Sequence, residues 1–135
     1  MGRIKKGSAT QGKVVKSLAP INYDLQPPVF SLEKIQPGKY CLFNLDQANK
    51  AMFTYAIYRR KSLSWNEIKQ APKHGLGTEK ISTNSITAAK PKFITEDLSD
   101  YLAFRYNGKQ PMVGYRQRDV FFVLWFDHDF TLYNH

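Results

Sequence analysis

Imidazole and cationic side chains are the groups of this sequence most suited to chemistry. His74 and His128 can each take or give a proton, because an imidazole titrates near neutral pH. Tyr115 can donate a hydrogen bond or stack on a base. Further cations can hold a phosphate: Lys80, Arg105, Arg116 and Arg118. Cleavage of an RNA phosphodiester uses a base for the 2′-hydroxyl, cations for the charge on phosphorus and an acid for the leaving oxygen.

These residue types define a predicted site. We assign a catalytic role to His74, Lys80, Arg105, Tyr115, Arg116 and His128, and a substrate-binding role to Arg59, Arg60, Lys73 and Arg118. Each residue also has a structural interpretation. His74 can be a polar loop residue, Asp127-His128-Asp129 can close a strand whose carboxylates accept loop amides, and Arg59-Arg60-Lys61 can be a solvated helix end. The catalytic hypothesis therefore depends on the whole set.

The sequence predicts neither a metal site nor a cofactor. Cys41 is the only cysteine, which excludes an internal disulfide and a zinc site built from thiolates. The three histidines are not spaced as a ligand pair on a helix. Gly75-Leu76-Gly77 lacks the third glycine and the preceding strand of a dinucleotide-binding loop. We accordingly expect chemistry that uses side chains alone.

Positive charge is the main signal in the composition. The chain has 20 Lys and Arg against 11 Asp and Glu, a net charge of +9. Such a field attracts polyanions and favours RNA, DNA or an acidic protein as the partner. The charge is uneven, because residues 1–16 carry cations without a single acid and residues 58–80 form a second basic stretch. Among these partners we expect a nucleic acid, and RNA in particular.

Length and hydropathy indicate one domain with a basic extension. With 135 residues, 42% of them hydrophobic, the chain can bury one core. Residues 1–20 are rich in Gly, Ser, Lys and Gln and predict a flexible basic arm, so that 21–135 form a single α+β domain. No run reaches the ~18 apolar residues of a membrane span, and no apolar segment follows the basic start as in a secretory signal. We therefore expect a cytoplasmic protein without a membrane partner.

Two helices are predicted before residue 72. Asp46 can cap the first, which ends near the basic residues 59–61. Ser64-Trp65-Asn66-Glu67 is a capping-box pattern that begins the second, and Pro72 ends it after barely two turns. Apolar positions of the first helix recur at helical spacing, as on a face that packs against a core: Ala48, Ala51, Met52, Tyr55, Ile57 and Tyr58.

The last third of the sequence predicts a β-meander. Val120–Phe126 is an apolar run bounded by acids, typical of an internal strand covered on both faces. Asn107-Gly108 and Arg118-Asp119 mark turns. The predicted strands are Tyr101–Tyr106, Met112–Gln117, Val120–Phe126 and Phe130–Tyr133. This order predicts an α+β fold in which two N-terminal helices pack on one face of a twisted antiparallel sheet of about four to five strands.

This layout resembles the RelE/ParE-like superfamily of bacterial toxins. The resemblance lies in the two helices before a twisted sheet, in Arg105, in the hairpin Met112-Val113-Gly114-Tyr115-Arg116 and in Val120–Phe126 closed by Asp127-His128-Asp129. It covers residues 101–133 in motif and 46–133 in layout. Most members of that superfamily are small basic ribonucleases that cut messenger RNA, and others act by docking on a protein.

The resemblance implies roles for particular residues. Tyr115 or Arg116 would match the aromatic or basic position after the toxins' strand arginine, and His128 the basic position that ends the last core strand. Where those toxins have a catalytic arginine early in the hairpin strand, this sequence has Gln110-Pro111-Met112, so Arg105 would reach in from the preceding strand. The implied partners are RNA, with the ribosome as one setting for cleavage, and a neutralising antitoxin protein.

Two functions of different classes follow. The first is a toxin-like, metal-independent endoribonuclease of a toxin–antitoxin pair, which cleaves single-stranded RNA. In it, His74 or His128 transfers protons while Lys80 and the arginines hold the phosphate. The second is a non-catalytic module that binds RNA or docks on a protein. Incubation of single-stranded RNA in EDTA distinguishes the two, because only the first cleaves RNA and its chemistry needs no metal.

Overall fold

The computed structural model describes residues 19–135. This part of the chain contains two α-helices, α1 (Gln47–Arg60) and α2 (Trp65–Gln70). Its strands are β1 (Val29–Ser31), β2 (Thr78–Ser82), β3 (Asp100–Asn107), β4 (Gln110–Gln117) and β5 (Val120–Phe126). Short 3-10 turns cover Tyr23–Leu25, Leu42–Asn44 and Thr83–Ser85. The α+β class predicted from the sequence is confirmed.

Both helices begin at the caps that the sequence predicts. The Asp46 carboxylate accepts a hydrogen bond from the Asn49 amide at 2.8 Å, which starts α1. At α2 the Ser64 hydroxyl accepts from the Glu67 amide while the Glu67 carboxylate accepts from the Ser64 amide. Helix α2 is short because Ala71, which precedes a proline, adopts extended backbone.

The sheet is mixed, so the prediction of a purely antiparallel sheet was wrong at one edge. The strand order is β1-β5-β4-β3-β2. Strands β2 to β5 pair antiparallel, whereas β1 runs parallel to β5 with Phe30 opposite Phe121. A parallel pair needs a long connection, and the helices and three other strands lie between β1 and β5 in the chain. The Pro27-Pro28 pair favours an extended entry into Val29–Ser31, but no residue there signals the direction of its pairing.

Apolar layers cover both faces of the sheet. On the helix side, α1 and α2 pack against the strands through Phe53, Ala56, Trp65, Ile68, Phe104, Phe121 and Phe126. The other face is covered by the irregular segment 83–99 and by residues 130–135, through Ile94, Tyr101, Val113, Leu124, Trp125, Leu132 and Tyr133. Trp125 is 2% exposed and packs edge-to-face on Tyr101 at 5.3 Å. Strand β5 is therefore an internal strand covered on both faces, as predicted.

The segment Phe130–Tyr133, predicted as a fourth meander strand, forms a tight reversal instead. Phe130 has a left-handed φ of 61°, and the Asp127 carboxylate accepts the Thr131 amide at 3.0 Å. Side-chain capture of a backbone amide of this kind competes with strand pairing. Because the chain turns here, Leu132 and Tyr133 fold back onto the sheet and are buried.

Of the apolar positions of α1 that were expected to face the core, only Ile57 packs against it. Phe53 and Ala56 point into the core, where Phe53 packs edge-to-face on Phe126 at 4.8 Å. Met52, Tyr55 and Tyr58 lie at the surface. Helical spacing identifies residues that share a face, but not which of two apolar faces turns inward. The helix therefore presents apolar side chains to solvent as well as to the core.

The predicted basic arm, residues 1–20, lies outside the described residues except for Ala19 and Pro20. The arm and the boundary of the domain therefore stay predictions. Within residues 19–135, neither helix has the length and hydropathy that crossing a bilayer would require.

Candidate active site

Strand alternation sends the predicted site residues of the sheet to different faces. Successive side chains of a strand point to opposite sides. On β2, Glu79 lies opposite Ala103 of β3. Its neighbour Lys80 lies opposite Leu102, which packs against the helix-side layer. Arg105 is two residues from Ala103 along β3 and so shares the face of Glu79. Lys80 and Arg105 therefore cannot serve one site on one face.

Three of the predicted residues, Lys73, His74 and Arg105, line one cavity of about 420 Å³. We call this cavity the histidine cleft. Its lining residues are Lys73, His74, Glu79, Arg105, Lys109, Phe130, Tyr133, Asn134 and His135. The cleft combines two imidazoles, three cations and one carboxylate, so it holds both groups that transfer protons and groups that hold an anion.

Arg105 is the buried cation of the cleft. Its side chain is 6% exposed, and its Nη2 donates to Glu79 Oε1 at 2.7 Å, while Lys73 Nζ lies 3.3 Å from the other carboxylate oxygen. Burial raises the pKa of Glu79, but the hydrogen bonds from Arg105 and Lys73 outweigh it and hold that pKa below its ordinary value. Among residues 19–135, Nε and Nη1 of Arg105 have no hydrogen-bond partner. Both nitrogens are themselves buried, so within this range their N–H groups are used neither by the fold nor by solvent.

His135 is oriented by a buried carboxylate. Its Nε2 lies 2.8 Å from Oδ2 of Asp127, whose side chain is fully buried. The other oxygen of Asp127 accepts the Thr131 amide. A carboxylate only accepts hydrogen bonds, so Nε2 carries a proton, and in the neutral imidazole Nδ1 then keeps its lone pair. His135 thus has the arrangement of a positioned general base.

Aromatic rings fix the plane of the His135 imidazole. Tyr133 stacks on it with ring centres 4.0 Å apart, and Phe130 meets it edge-on at 5.1 Å. Burial raises the pKa of Tyr133 to about 12, so its hydroxyl is protonated at neutral pH. That hydroxyl has no partner within the described part of the chain. The hydroxyl oxygen is itself buried, so Tyr133 contributes its ring rather than its hydroxyl to the lining of the cleft.

Arg60 anchors the loop that carries Lys73 and His74. Its side chain is buried, with Nε donating to the Leu76 carbonyl and Nη2 to the Gly75 carbonyl, both at 3.1 Å. Burial lowers the pKa of Arg60 to about 10, so the guanidinium is still charged at neutral pH. The sequence predicts substrate binding for Arg60, but the guanidinium is committed to these carbonyls and holds the loop from beneath.

A close backbone approach tightens the same loop. The Gly77 amide donates to the Pro72 carbonyl at 2.9 Å, as does the Gly75 amide. A Cβ at Gly77 would lie 2.1 Å from the Ala71 carbonyl oxygen, so only glycine fits there. The loop therefore presents His74 from a constrained turn.

Lys80 and Arg116 line a second and smaller cavity, of about 290 Å³, on the helix side of the sheet. We call it the tryptophan groove, formed by Trp65, Lys69, Thr78, Lys80, Leu102 and Arg116. The Arg116 guanidinium lies 4.2 Å from the Trp65 ring centre. Asp24 accepts from both Lys69 and Arg116 at 2.7 Å, and these hydrogen bonds lower the pKa of Asp24. Among the described residues, no histidine lines this groove.

Tyr115 and His128 lie apart from the histidine cleft. Tyr115 is buried on the side away from the helices and stacks on Phe122 with ring centres 5.0 Å apart. Burial raises its pKa. His128 directs Nε2 to the Lys39 carbonyl at 3.2 Å. Both side chains make contacts that stabilise the fold.

Arg118 and Arg59 are also outside the cleft. Arg118 occupies the turn between β4 and β5 with a left-handed φ of 58°. Arg59 is exposed on α1, and its guanidinium lies 5.6 Å from the Tyr55 ring centre. The structure thus brings together three of the ten predicted residues in the histidine cleft and places two in the tryptophan groove.

Several groups that line the cleft or contact its lining residues were not predicted from the sequence: Glu79, Lys109, Asp127, Tyr133 and His135. The register of the β3–β4 hairpin could have placed Lys109 near Arg105, because both flank the Asn107-Gly108 turn. His135 gives no comparable signal. Its contact with Asp127 depends on the reversal at Phe130, which no residue of the segment announces.

Comparison of the chain with protein-family models, with curated proteins and with solved structures finds no match. Function therefore has to follow from the geometry of the histidine cleft. Within residues 19–135, no three His, Cys, Asp or Glu side chains are grouped as ligands of a metal ion would be.

Proposed function

We propose that this protein is a metal-independent endoribonuclease that cleaves single-stranded RNA in the histidine cleft. One observation supports this most. A carboxylate-held imidazole lines the same cavity as a buried arginine with unpartnered N–H groups among the described residues. Positioned proton-transfer groups and preorganised cations are what an enzyme needs to cut RNA through its own 2′-hydroxyl.

The two histidines of the cleft have separate tasks in this scheme. Nδ1 of His135 takes the proton of the 2′-hydroxyl, and the 2′-oxygen attacks phosphorus. His74, exposed at the rim, protonates the 5′-oxygen as its bond to phosphorus breaks. The products are a 2′,3′-cyclic phosphate and a 5′-hydroxyl, so no further reactant is required.

Arg105 is the group that meets the charge developing on the phosphate. Glu79 holds one side of its guanidinium, which limits its movement, while Nε and Nη1 stay without partners in the described chain. Lys73 and Lys109 add charge at the exposed rim of the cleft. Preorganised donors of this kind stabilise a transition state more than a flexible cation does, because they need not reorient during the reaction.

The resemblance to RelE/ParE-like toxins extends the proposal to a toxin whose RNA cleavage arrests growth and to an antitoxin protein that prevents it. The net charge of +9 supports an RNA partner. A cytoplasmic location belongs to the same proposal. Arg105 keeps the role that the resemblance implies, whereas proton transfer passes from His128 to His135.

The direct test is incubation of a labelled single-stranded RNA with the protein in EDTA. We expect fragments with 2′,3′-cyclic phosphate ends, and we expect DNA of the same sequence to stay intact because it lacks the attacking hydroxyl. A His74→Asn/His135→Asn double variant, purified in parallel, controls for a contaminating nuclease. Intact RNA, or equal cleavage by the double variant, contradicts the proposal. Binding without cleavage would favour the non-catalytic RNA-binding module.

A further inference from the structure

Helix α1 has an outward face that is aromatic rather than polar. Met52, Tyr55 and Tyr58 are 37%, 51% and 60% exposed. Their spacing of three residues places them in one row along the helix. The rings of Tyr55 and Tyr58 are nearly parallel, with an interplanar angle of 17° and centres 6.3 Å apart. Solvent-facing helix positions are ordinarily polar, so this row needs an explanation.

Each tyrosine of this row carries a cation on its ring. The Arg59 guanidinium lies 5.6 Å from the Tyr55 ring centre, and Lys61 Nζ lies 4.7 Å from that of Tyr58. Cations at the end of a helix complement its dipole, which accounts for their presence there. The dipole does not account for the tyrosines beneath them. We call Met52, Tyr55, Tyr58, Arg59 and Lys61 the tyrosine face.

No acid interrupts the tyrosine face. The sequence from Gln47 to Asn66 contains Lys50, Arg59, Arg60 and Lys61 but no Asp or Glu. This stretch therefore carries a charge of +4, between Asp46 and Glu67 at its two ends. Charge complementarity thus calls for an anionic partner that also offers flat apolar surfaces.

We infer that the tyrosine face is a stacking platform for single-stranded nucleic acid. Bases stack on the exposed faces of Tyr55 and Tyr58, and the phosphates between them are held by Arg59 and Lys61. Single-stranded nucleic acid unites a flat π-surface with one negative charge per nucleotide, which matches both features of the face. The inference rests on the proposed function only in taking RNA as the natural ligand.

The chemistry of the face favours nucleic acid over a protein partner. A helix that docks on a protein lays an apolar face into a hydrophobic groove, whereas the rings of the tyrosine face carry Arg59 and Lys61. An acidic peptide would match the cations but would leave the tyrosine rings without flat partners. Double-stranded RNA keeps its bases stacked inside the helix, so it offers only phosphates.

Fluorescence anisotropy of a labelled 2′-O-methyl oligonucleotide tests the inference, since this probe binds but cannot be cleaved. We expect Tyr55→Ala/Tyr58→Ala to weaken binding at least about tenfold, because each base–aromatic stack contributes on the order of a tenfold increase in affinity. Tyr55→Phe/Tyr58→Phe should bind nearly as wild type does, because the ring faces remain. Phe43→Ala is the matched control, removing an aromatic side chain that is 85% exposed but lies outside the tyrosine face.

Salt dependence supplies the second readout. In Arg59→Gln/Lys61→Gln, the slope of log affinity against log salt should fall by about 1.4, because each phosphate contact of a single strand contributes about 0.7. Unchanged affinity in the double alanine variant, equal binding of a duplex of the same length, or no binding by the wild type overturns the inference. The last result would favour a protein-docking face. Because the probe is uncleavable, failure of the ribonuclease proposal leaves these outcomes unaffected.

Discussion

The histidine cleft and the tryptophan groove, on opposite faces of one sheet, contain the same type of ion-pair arrangement. In the cleft, Glu79 bridges Lys73 and Arg105. In the groove, one aspartate bridges Lys69 and Arg116 at 2.7 Å to each. Both arrangements tie distant segments together through a carboxylate shared by two cations. The difference lies in what stands beside them: two imidazoles line the cleft, and none lines the groove.

Clustered cations occur in both cavities, so they do not distinguish the proposed active site from the groove. In the groove, the Arg116 guanidinium lies over Trp65 and donates to neighbouring oxygens. Its charge therefore interacts with other groups of the fold. In the cleft, Arg105 retains two N–H groups without partners among the described residues. Of the two cavities, only the cleft is lined by imidazoles. Substitution of these imidazoles should therefore show whether the cleft, rather than the groove, carries the activity.

The largest effect is expected from the histidines. His74→Asn and His135→Asn should each lower the rate of RNA cleavage by roughly 10² to 10⁴, the usual contribution of a positioned acid or base. Single-turnover cleavage in EDTA measures this rate. Melting temperature should change little in His74→Asn, because His74 is an exposed loop residue.

The third histidine supplies the matched control. His128→Asn changes the same side chain outside the cleft, where His128 contacts the Lys39 carbonyl. We expect its cleavage rate to match that of the wild type. A loss of activity in His128→Asn, with normal rates in the other two variants, would return proton transfer to the end of β5 and remove the cleft from the mechanism.

A smaller effect is expected from the arginine beneath the loop. Arg60→Met keeps the apolar stem but leaves the Gly75 and Leu76 carbonyls without their donors. Hydrogen bonds to charged groups are strong, and a buried carbonyl that loses its donor destabilises the fold. The free energy of unfolding should therefore fall by roughly 2 to 4 kcal/mol. Urea unfolding measures this change. Arg59→Met, at the exposed neighbouring position, should shift it by less than about 0.5 kcal/mol.

The smallest effect at neutral pH is expected from Tyr133→Phe, because the hydroxyl that it removes has no partner within residues 19–135. At alkaline pH the variant should differ from the wild type. The Tyr133 pKa is raised from 10.0 to about 12, so the folded state binds this proton more tightly than the unfolded chain does. Its stabilising contribution is complete below pH 10 and is lost as the pH rises towards 12.

Urea unfolding across that alkaline range checks the sign. Across this range the free energy of unfolding should fall by roughly 1 to 3 kcal/mol less in Tyr133→Phe than in the wild type. The variant has no phenol to ionise at this position. Tyr58→Phe, exposed on α1, is the control and should lose as much as the wild type. Parallel curves for wild type and Tyr133→Phe would show that this hydroxyl is not buried in solution.

Features set by neighbouring residues could be predicted from the sequence. Asp46, and Ser64 with Glu67, cap their helices through contacts three residues apart, and the structure contains these contacts. The strands β3 to β5 followed from apolar runs and turn residues. The direction of β1 could not be predicted, because its partner Val120–Phe122 is remote in sequence.

The site was harder to predict because burial and chain reversal decide it. Arg60 looks like part of a solvated basic run, yet it is 1% exposed because loop carbonyls supply its partners. The pairing of His135 with Asp127 requires the left-handed φ of Phe130. Non-glycine residues rarely adopt this conformation, so the sequence gives no indication of it. Arg105 was named as a candidate from the sequence, but its burial and its unpartnered donors depend on packing.

The cleavage rates of Arg105→Ala and Arg116→Ala, measured side by side on one RNA in EDTA, test the central claim most directly. These are arginines of adjacent strands on opposite faces of the sheet. We expect Arg105→Ala to lose about 10² or more in rate, as removal of a preorganised donor typically does, and Arg116→Ala to retain the wild-type rate. Arg105→Lys, which keeps the charge beside Glu79, separates catalysis from folding and should also be slow. Equal rates for both alanine variants, or a loss confined to Arg116→Ala, would contradict catalysis in the histidine cleft.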